Sequence, residues 1–299
     1  MNQKPDFIII GAMKCATSTL HEQLALQSGI FMSELKEPNF FSNDEQYARG
    51  LDWYQAHFAA AQADELCGES STHYTKLPTY PQTIERLQGY LPEVKLIYVM
   101  RHPIKRLVSQ YVHEWSQRRI SVEINQAVNS HPELIDYSRY TLQLEPYFKA
   151  FGPDRVLPVF FERLFHTPQI ELERVCQFIG YSSQPTWQTN LEAQNVSNER
   201  MQSSGWRDFL VEAPGLKQIR QTLVPKSFRI WLRGLWTMKE RPELSAEQTE
   251  RLQDIFDQDL AVLGRWLGMP LNCAQFELNV LEAPEIRWSQ VQSMPVPHP

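Results

Sequence analysis

The sequence lacks the patterns by which a chain of this size usually announces a metal. Its four cysteines, Cys15, Cys67, Cys176 and Cys273, stand far apart and form no CxxC pair, its eight histidines are scattered, and there is no HExxH. This spacing gives neither a zinc ligand set nor a disulfide framework, so it predicts reduced thiols, a cytoplasmic protein and no metal. No stretch approaches the roughly 18 consecutive apolar residues of a membrane span. The N-terminus runs from Met1-Asn2-Gln3-Lys4-Pro5-Asp6 straight into Phe7-Ile8-Ile9-Ile10. It has none of the basic, apolar and small-residue succession of a secretory leader, and none is expected. Internal repeats and low-complexity tracts are absent too. Nor is there an excess of positive charge: 29 Lys and Arg against 35 Asp and Glu leave a net charge of -6. That argues against a nucleic-acid partner and leaves a polyanion only a local basic groove to bind.

What the chain does have is core. Of 299 residues, 42% are hydrophobic, enough for a large folded interior. Length alone allows two domains, but α/β folds of this size often form one. We expect a single domain over residues 1–294 and a disordered tail at 295–299.

Strand-like and helix-like segments alternate. An apolar run at 7–10 is followed by Gly11, a short polar loop and a helix over about 17–27, closed by Ser28-Gly29. The nearly continuous apolar run at 94–100 reads as a strand buried on both faces. Arg101-His102-Pro103 then turns the chain into a helix over about 104–118. A third strand is expected at 156–161. The helix after it has Thr167 as N-cap, Pro168 at its first position and Gly180 just past its end. A last helix starts at Ser245, where Gln248 completes a capping box and Leu252, Ile255, Phe256, Leu260 and Leu263 form one apolar face. This alternation predicts a parallel α/β sheet with helices on both faces and ligands at the carboxyl ends of its strands. Residues 217–236 interleave basic and apolar side chains and read as an amphipathic helix packed on the core.

Two strand ends carry chemistry. In Gly11-Ala12-Met13-Lys14-Cys15-Ala16-Thr17-Ser18-Thr19-Leu20, a glycine, a lysine and a hydroxyl cluster open a helix. The free N–H groups and dipole of such a helix start attract an anion. A nucleoside-triphosphatase loop, Gly-x4-Gly-Lys-Ser/Thr, would need glycine at Ala16 and lysine at Thr17, so the lysine here comes three residues too early. At the other strand end Arg101 offers the planar fork that suits a phosphate, and Ser109 lies about two helical turns on.

Together the two segments resemble the PAPS-dependent sulfotransferases (PAPS is 3'-phosphoadenosine-5'-phosphosulfate), specifically their carbohydrate-type and bacterial branch. That family's 5'-phosphosulfate loop reads roughly Gly-x-x-Lys-x-Gly-Thr-Thr-x-Leu. Gly11, Lys14, Thr17 and Leu20 match, Ser18 stands for threonine, and Ala16 stands for glycine, so the backbone there must avoid a positive φ or tolerate strain. Lys36-Glu37-Pro38-Asn39-Phe40-Phe41, Glu69-Ser70-Ser71-Thr72-His73-Tyr74 and the closing helix are also similar to family segments, so the likeness spans residues 5 to 270.

The resemblance implies a P-loop kinase-like architecture and in-line transfer of a sulfuryl group from PAPS to an acceptor hydroxyl or amine. The product nucleotide is adenosine 3',5'-bisphosphate (PAP). It assigns Lys14, Cys15, Ala16, Thr17, Ser18 and Thr19 to the 5'-phosphosulfate, and Arg101 and Ser109 to the 3'-phosphate. Ser197 and Arg200 are further phosphate contacts, in a segment that also contains an Asn-x-Ser sequon. Catalytic roles fall to Lys14 and to a base: Glu37 first, in a segment whose apolar neighbours would desolvate it, then His73, with Glu69 and His113 as other candidates. Where the family has a lysine after Glu69, this chain has Ser70, and His73 or Lys76 are the expected substitutes. The acceptor is a small molecule, lipid or carbohydrate. The alternatives are a nucleotide kinase or triphosphatase, or a PAP-binding module without catalysis.

Overall fold

A computed structural model describes residues 4–189 and 241–289. Five strands form one sheet: β1 (Phe7–Gly11), β2 (Ile30–Met32), β3 (Leu66–Ser70), β4 (Lys95–Met100) and β5 (Val156–Phe160). Their order is β2-β3-β1-β4-β5 and every neighbouring pair is parallel. All five residues of β1 are buried, so both faces of the sheet's centre are covered, as the apolar run at 7–10 requires.

The helix after β1 spans Thr17–Ala25 and the one after β4 spans Pro103–Ser116, each shorter than expected by about two residues at its C-terminal end. Pro168–Ile179 ends as read, with Gly180 in the left-handed conformation, but its Thr167 makes no capping bond through its side chain. The last long helix, Ala246–Leu267, is half of a capping box. Ser245 accepts from the Gln248 N–H, but the Ser245 N–H goes to Asn125 Oδ1 at 2.7 Å, not to Gln248. That helix packs on the helix Tyr140–Phe151, whose first turn it caps: the Asp259 carboxylate accepts from Thr141.

β2 and β3 are absent from the reading of the sequence. β2 has only three residues, and β3 reads Leu66-Cys67-Gly68-Glu69-Ser70, too polar to resemble a buried strand. It is buried nonetheless, because each polar group is met. Glu69 accepts from the Tyr54 hydroxyl and from Ser71 Oγ at 2.6 Å, and Ser70 Oγ lies 2.8 Å from His21 Nδ1. Gly68 admits no side chain, since a Cβ there would meet the Phe7 ring at 2.2 Å.

Strand order decides where the site lies. The chain leaves β1 toward β2 and β3, then crosses to the other side of β1 for β4 and β5. A parallel sheet opens a crevice at the carboxyl ends of strands where connections diverge. The loops after β1, β2 and β4 meet there, beside the end of β3.

Candidate functional site

Three loops build the site. The loop after β1 is compressed. Ala12 donates to Val99 O of β4 at 2.8 Å, Cys15 N–H turns back to Ala12 O at 3.2 Å, and Lys14 and Ala16 both stand at positive φ, 70° and 65°. The alanine in the family's glycine position therefore tolerates the left-handed conformation, at a cost of about 1–2 kcal/mol for a residue with a Cβ. Ala16 is the N-cap of the helix Thr17–Ala25 and supplies no side-chain cap. The first-turn N–H groups of a helix have no intrahelical partners, so this end is left for an anion. Gly11 is fixed by a different demand. A Cβ there would lie 1.9 Å from Thr75 Oγ1, which donates to Ile10 O at 2.8 Å.

Arg101 leaves the end of β4 toward this loop. Its Nη1 donates to Lys14 O at 3.2 Å and its guanidinium carbon lies 4.1 Å from the Phe161 ring centre. The Tyr140 hydroxyl clamps the Arg101 backbone, accepting from its N–H at 3.1 Å and donating to its carbonyl. Arg101 Nε, His102 Nδ1 and Glu162 Oε2 are buried without hydrogen-bond partners among the described residues. The other Glu162 oxygen accepts from His102 N–H at 3.0 Å, and burial raises this carboxyl's pKa. Ser109 is half-buried on the helix that starts at Pro103.

Arg106 is a supporting residue that sequence reasoning missed. It is fully buried and donates to Ser138 Oγ at 2.5 Å, Gln110 Oε1 at 2.6 Å, Leu134 O at 3.0 Å and Met13 O at 3.4 Å. It thus holds the loop after β1 from behind. The i to i+4 spacing of Arg106 and Gln110 was the available signal. Arg106→Ala should cost about 3 kcal/mol in chemical denaturation, through lost charged hydrogen bonds and a cavity. Arg106→Lys should recover little, because one ammonium cannot serve four dispersed acceptors. An unchanged denaturation midpoint in Arg106→Ala would remove it from the supporting frame.

The other cysteine and hydroxyl candidates divide. Cys15 is fully buried, and burial pushes its thiol pKa up to about 12, so it lends the site backbone and not a thiolate. Thr17 is buried and Thr19 half-buried, and Ser18 Oγ accepts from Lys36 Nζ at 2.5 Å.

The third loop follows β2 and carries Glu37. Its N–H donates to Ser70 O at 3.0 Å, at the end of β3. Its carboxylate accepts from Thr72 Oγ1 at 3.3 Å and lies 4.0 Å from Lys36 Nζ, with the side chain 33% exposed. The apolar pocket expected around Glu37 is not there. Phe40 and Phe41 turn into the core beside Tyr54 and Tyr74, and leave the carboxylate among polar neighbours. Glu37 and Asn39 both stand at positive φ, 57° and 51°, so the backbone is strained to bring this loop to the site.

His73 stacks on Tyr80, with ring centres 4.9 Å apart, and its Nδ1 is buried without a partner among the described residues. Burial first, then the charges of Lys76 and Arg119, hold its pKa down to about 3. Lys76 is 7% exposed, and burial lowers its pKa to about 8 against the attraction of Glu114 and Glu37. Glu69 is fully buried behind Ser71 and supports the fold rather than facing a substrate. His113 lies in the last turn of the helix Pro103–Ser116. Ser197, Arg200, the stretch 217–236 and the tail 295–299 lie outside the described residues.

The arrangement offers a helix N-terminus, lysines and an arginine converging on one anion loop, with a carboxylate nearby. Among the described residues no group of His, Cys, Asp or Glu is placed to hold a metal, and no helix is long and apolar enough to cross a membrane. A phosphate-bearing nucleotide fits these donors and the unpartnered Arg101 Nε.

Comparison with known proteins gives the following. Residues 4–264 match the profile of the sulfotransferase domain. Heparan sulfate glucosamine 3-O-sulfotransferase 5 of Mus musculus is 29% identical over 192 residues, 60% of this chain and 54% of that protein. Heparan sulfate glucosamine 3-O-sulfotransferase 3B1 of Mus musculus is 33% identical over 190 residues, covering 60% and 46%. The matches thus reach across about half the length of these curated relatives. The crystal structure of a sulfotransferase from Alicyclobacillus acidocaldarius shares the fold, with a TM-score of 0.65 at 22% identity, covering 90% of this chain and 98% of that one.

Proposed function

The chain belongs to the sulfotransferase domain family, and from that premise we propose that it transfers a sulfuryl group from PAPS to an acceptor hydroxyl or amine, releasing PAP. The observation that carries this is the loop after β1. A helix start without a side-chain cap, Lys14 and the reach of Arg101 to the Lys14 carbonyl together make a cradle for a phosphate-linked group. A triphosphatase would need its lysine at Thr17, so that reading is weaker. The bond from sulfur to the 5'-phosphate oxygen breaks, the bond from sulfur to the acceptor forms, and Glu37 takes the acceptor's proton. Lys14 and the loop donors stabilise the charge left on the phosphate.

A carbohydrate hydroxyl is the first acceptor to try, in keeping with the relatives' names. The four buried cysteines form no disulfide, which supports a reducing compartment such as the cytoplasm. The direct test is transfer of labelled sulfate from PAPS to a panel of saccharides, lipids and phenols. No transfer to any, with PAP still bound, would favour a binding module.

Arg101 gives a sharper test of the nucleotide. If it holds the 3'-phosphate, Arg101→Ala loses a charged hydrogen bond worth about 1.5–3 kcal/mol, or roughly 10- to 150-fold in PAP affinity. Affinity for adenosine 5'-phosphosulfate, which lacks that phosphate, should fall clearly less, by no more than the loss of the Arg101 bond to the Lys14 carbonyl. Equal losses for both ligands in calorimetry would mean that Arg101 serves the fold or a different group.

A further inference from the structure

We propose that Lys36 is a second catalytic cation of the site and touches the sulfuryl oxygens of the donor while Lys14 serves the leaving phosphate. This rests on the transfer reaction proposed above and adds a residue to it.

The observation is where the ammonium sits. Lys36 Nζ is 2.5 Å from Ser18 Oγ, in the first turn of the helix Thr17–Ala25, on the loop that also carries Lys14. The N-terminal end of a helix is its positive end, and a cation there is repelled. Lys14 adds a like charge from the same loop. Among the described residues the attraction that offsets this is slight: one neutral hydroxyl, and Glu37 at 4.0 Å, beyond direct hydrogen-bond reach. Positive groups gathered on one spot become favourable when all of them bind one anion.

The backbone places the lysine there by a specific device. Residue 37 adopts a positive φ and its N–H is pinned to Ser70 O, which turns two consecutive side chains, Lys36 and Glu37, toward the same place. Consecutive residues in an extended loop would point apart. The ammonium and the carboxylate thus arrive together, both about one-third exposed and open to a ligand. On the far side, His21 pairs with Ser70 Oγ at 2.8 Å and stays neutral, its pKa lowered to about 4 by burial and then by the Lys36 charge. Of His21 and Lys36, it is therefore Lys36 that carries the positive charge here.

In the transfer, negative charge on the sulfuryl oxygens is held while sulfur passes from the phosphate oxygen to the acceptor oxygen. The acceptor proton goes to Glu37 and the bond pair goes to the 5'-phosphate of PAP. Lys36, beside both the loop and the base, is placed to hold those oxygens in line with the attacking hydroxyl.

The test exploits a difference between two ligands, since PAP is the donor without its sulfuryl group. Calorimetry with wild type, Lys36→Met and Lys36→Arg should show Lys36→Met weakening PAPS by roughly 10- to 100-fold. PAP should change by less than about threefold, and Lys36→Arg should recover most of the loss. The slow release of inorganic sulfate from PAPS to water should fall with Lys36→Met in parallel. Unchanged PAPS affinity in Lys36→Met would overturn the proposal, as would equal losses for PAPS and PAP, which would place the lysine on the 5'-phosphate or in the fold. Retained PAP affinity shows that the variant is folded. If wild type itself binds neither ligand, the transfer reaction fails before Lys36 is reached.

Discussion

Replacing Lys14 by alanine should lower sulfuryl transfer by on the order of 10^2 to 10^3, while PAP affinity falls much less. The argument rests on where charge appears. When the sulfur–oxygen bond breaks, the bridging oxygen gains negative charge that PAP shares with its phosphate. A donor fixed beforehand at that oxygen is worth far more in the transition state than in the ground state. The Lys14 backbone is held in place, since it stands at φ 70° and its carbonyl receives Arg101, so its ammonium starts from a fixed point on the anion loop. Alanine removes the ammonium but leaves that carbonyl, and Ala16 shows that this loop accepts an alanine at positive φ. Initial rates with labelled PAPS, beside calorimetry with PAP, separate the two effects. A folded Lys14→Ala protein with near-normal turnover would end the assignment.

Glu37→Gln is the second large effect: turnover reduced by at least about 10^2 with PAP affinity within about twofold. Glutamine keeps the shape and the hydrogen bond from Thr72, and it loses the charge beside Lys36 and the ability to take a proton. The structure changes the reason for choosing Glu37 without changing the choice. Its carboxylate is not buried among apolar rings but is held beside Lys36, on the loop that Ser70 pins to the sheet. His73 is the weaker base on physical grounds. A half-buried imidazole whose pKa is held near 3 is neutral at working pH and has little proton affinity. His73→Ala should therefore be milder. If Glu37→Gln stays active and His73→Ala is dead with PAP still bound, the base is His73.

The sequence made some of this legible and hid the rest for identifiable reasons. β1, β4 and β5 could be read because strands buried on both faces are apolar throughout. β3 could not, because Glu69 and Ser70 are buried polar residues whose partners, Tyr54 and His21, come from elsewhere in the chain. Lys14 and Arg101 could be read because each lies within a local strand-to-helix pattern. The meeting of Lys36 with Ser18 could not, since 18 residues and a strand separate them and the turn that brings them together includes a positive φ at Glu37 that no local pattern announces. The second half of the capping box at Ser245 likewise went to Asn125, more than a hundred residues away, where local spacing carries no information.

The strand order also bears on how the chain is made. β1 comes early, yet its two partners are β3 and β4, so its backbone groups stay unpaired until residues 66–70 and then 95–100 have been synthesised. At roughly 5–20 residues per second that interval is several seconds or more. Throughout it Phe7-Ile8-Ile9-Ile10, apolar and strand-forming, is exposed on the ribosome, the kind of segment that pairs with copies of itself. The anion loop cannot form before β4 arrives, because Ala12 depends on Val99 and Lys14 on Arg101. An aggregation-prone stretch of the nascent chain and its anion loop are thus both governed by one late event, the docking of β4, and substitutions that delay it should lower the yield of soluble protein.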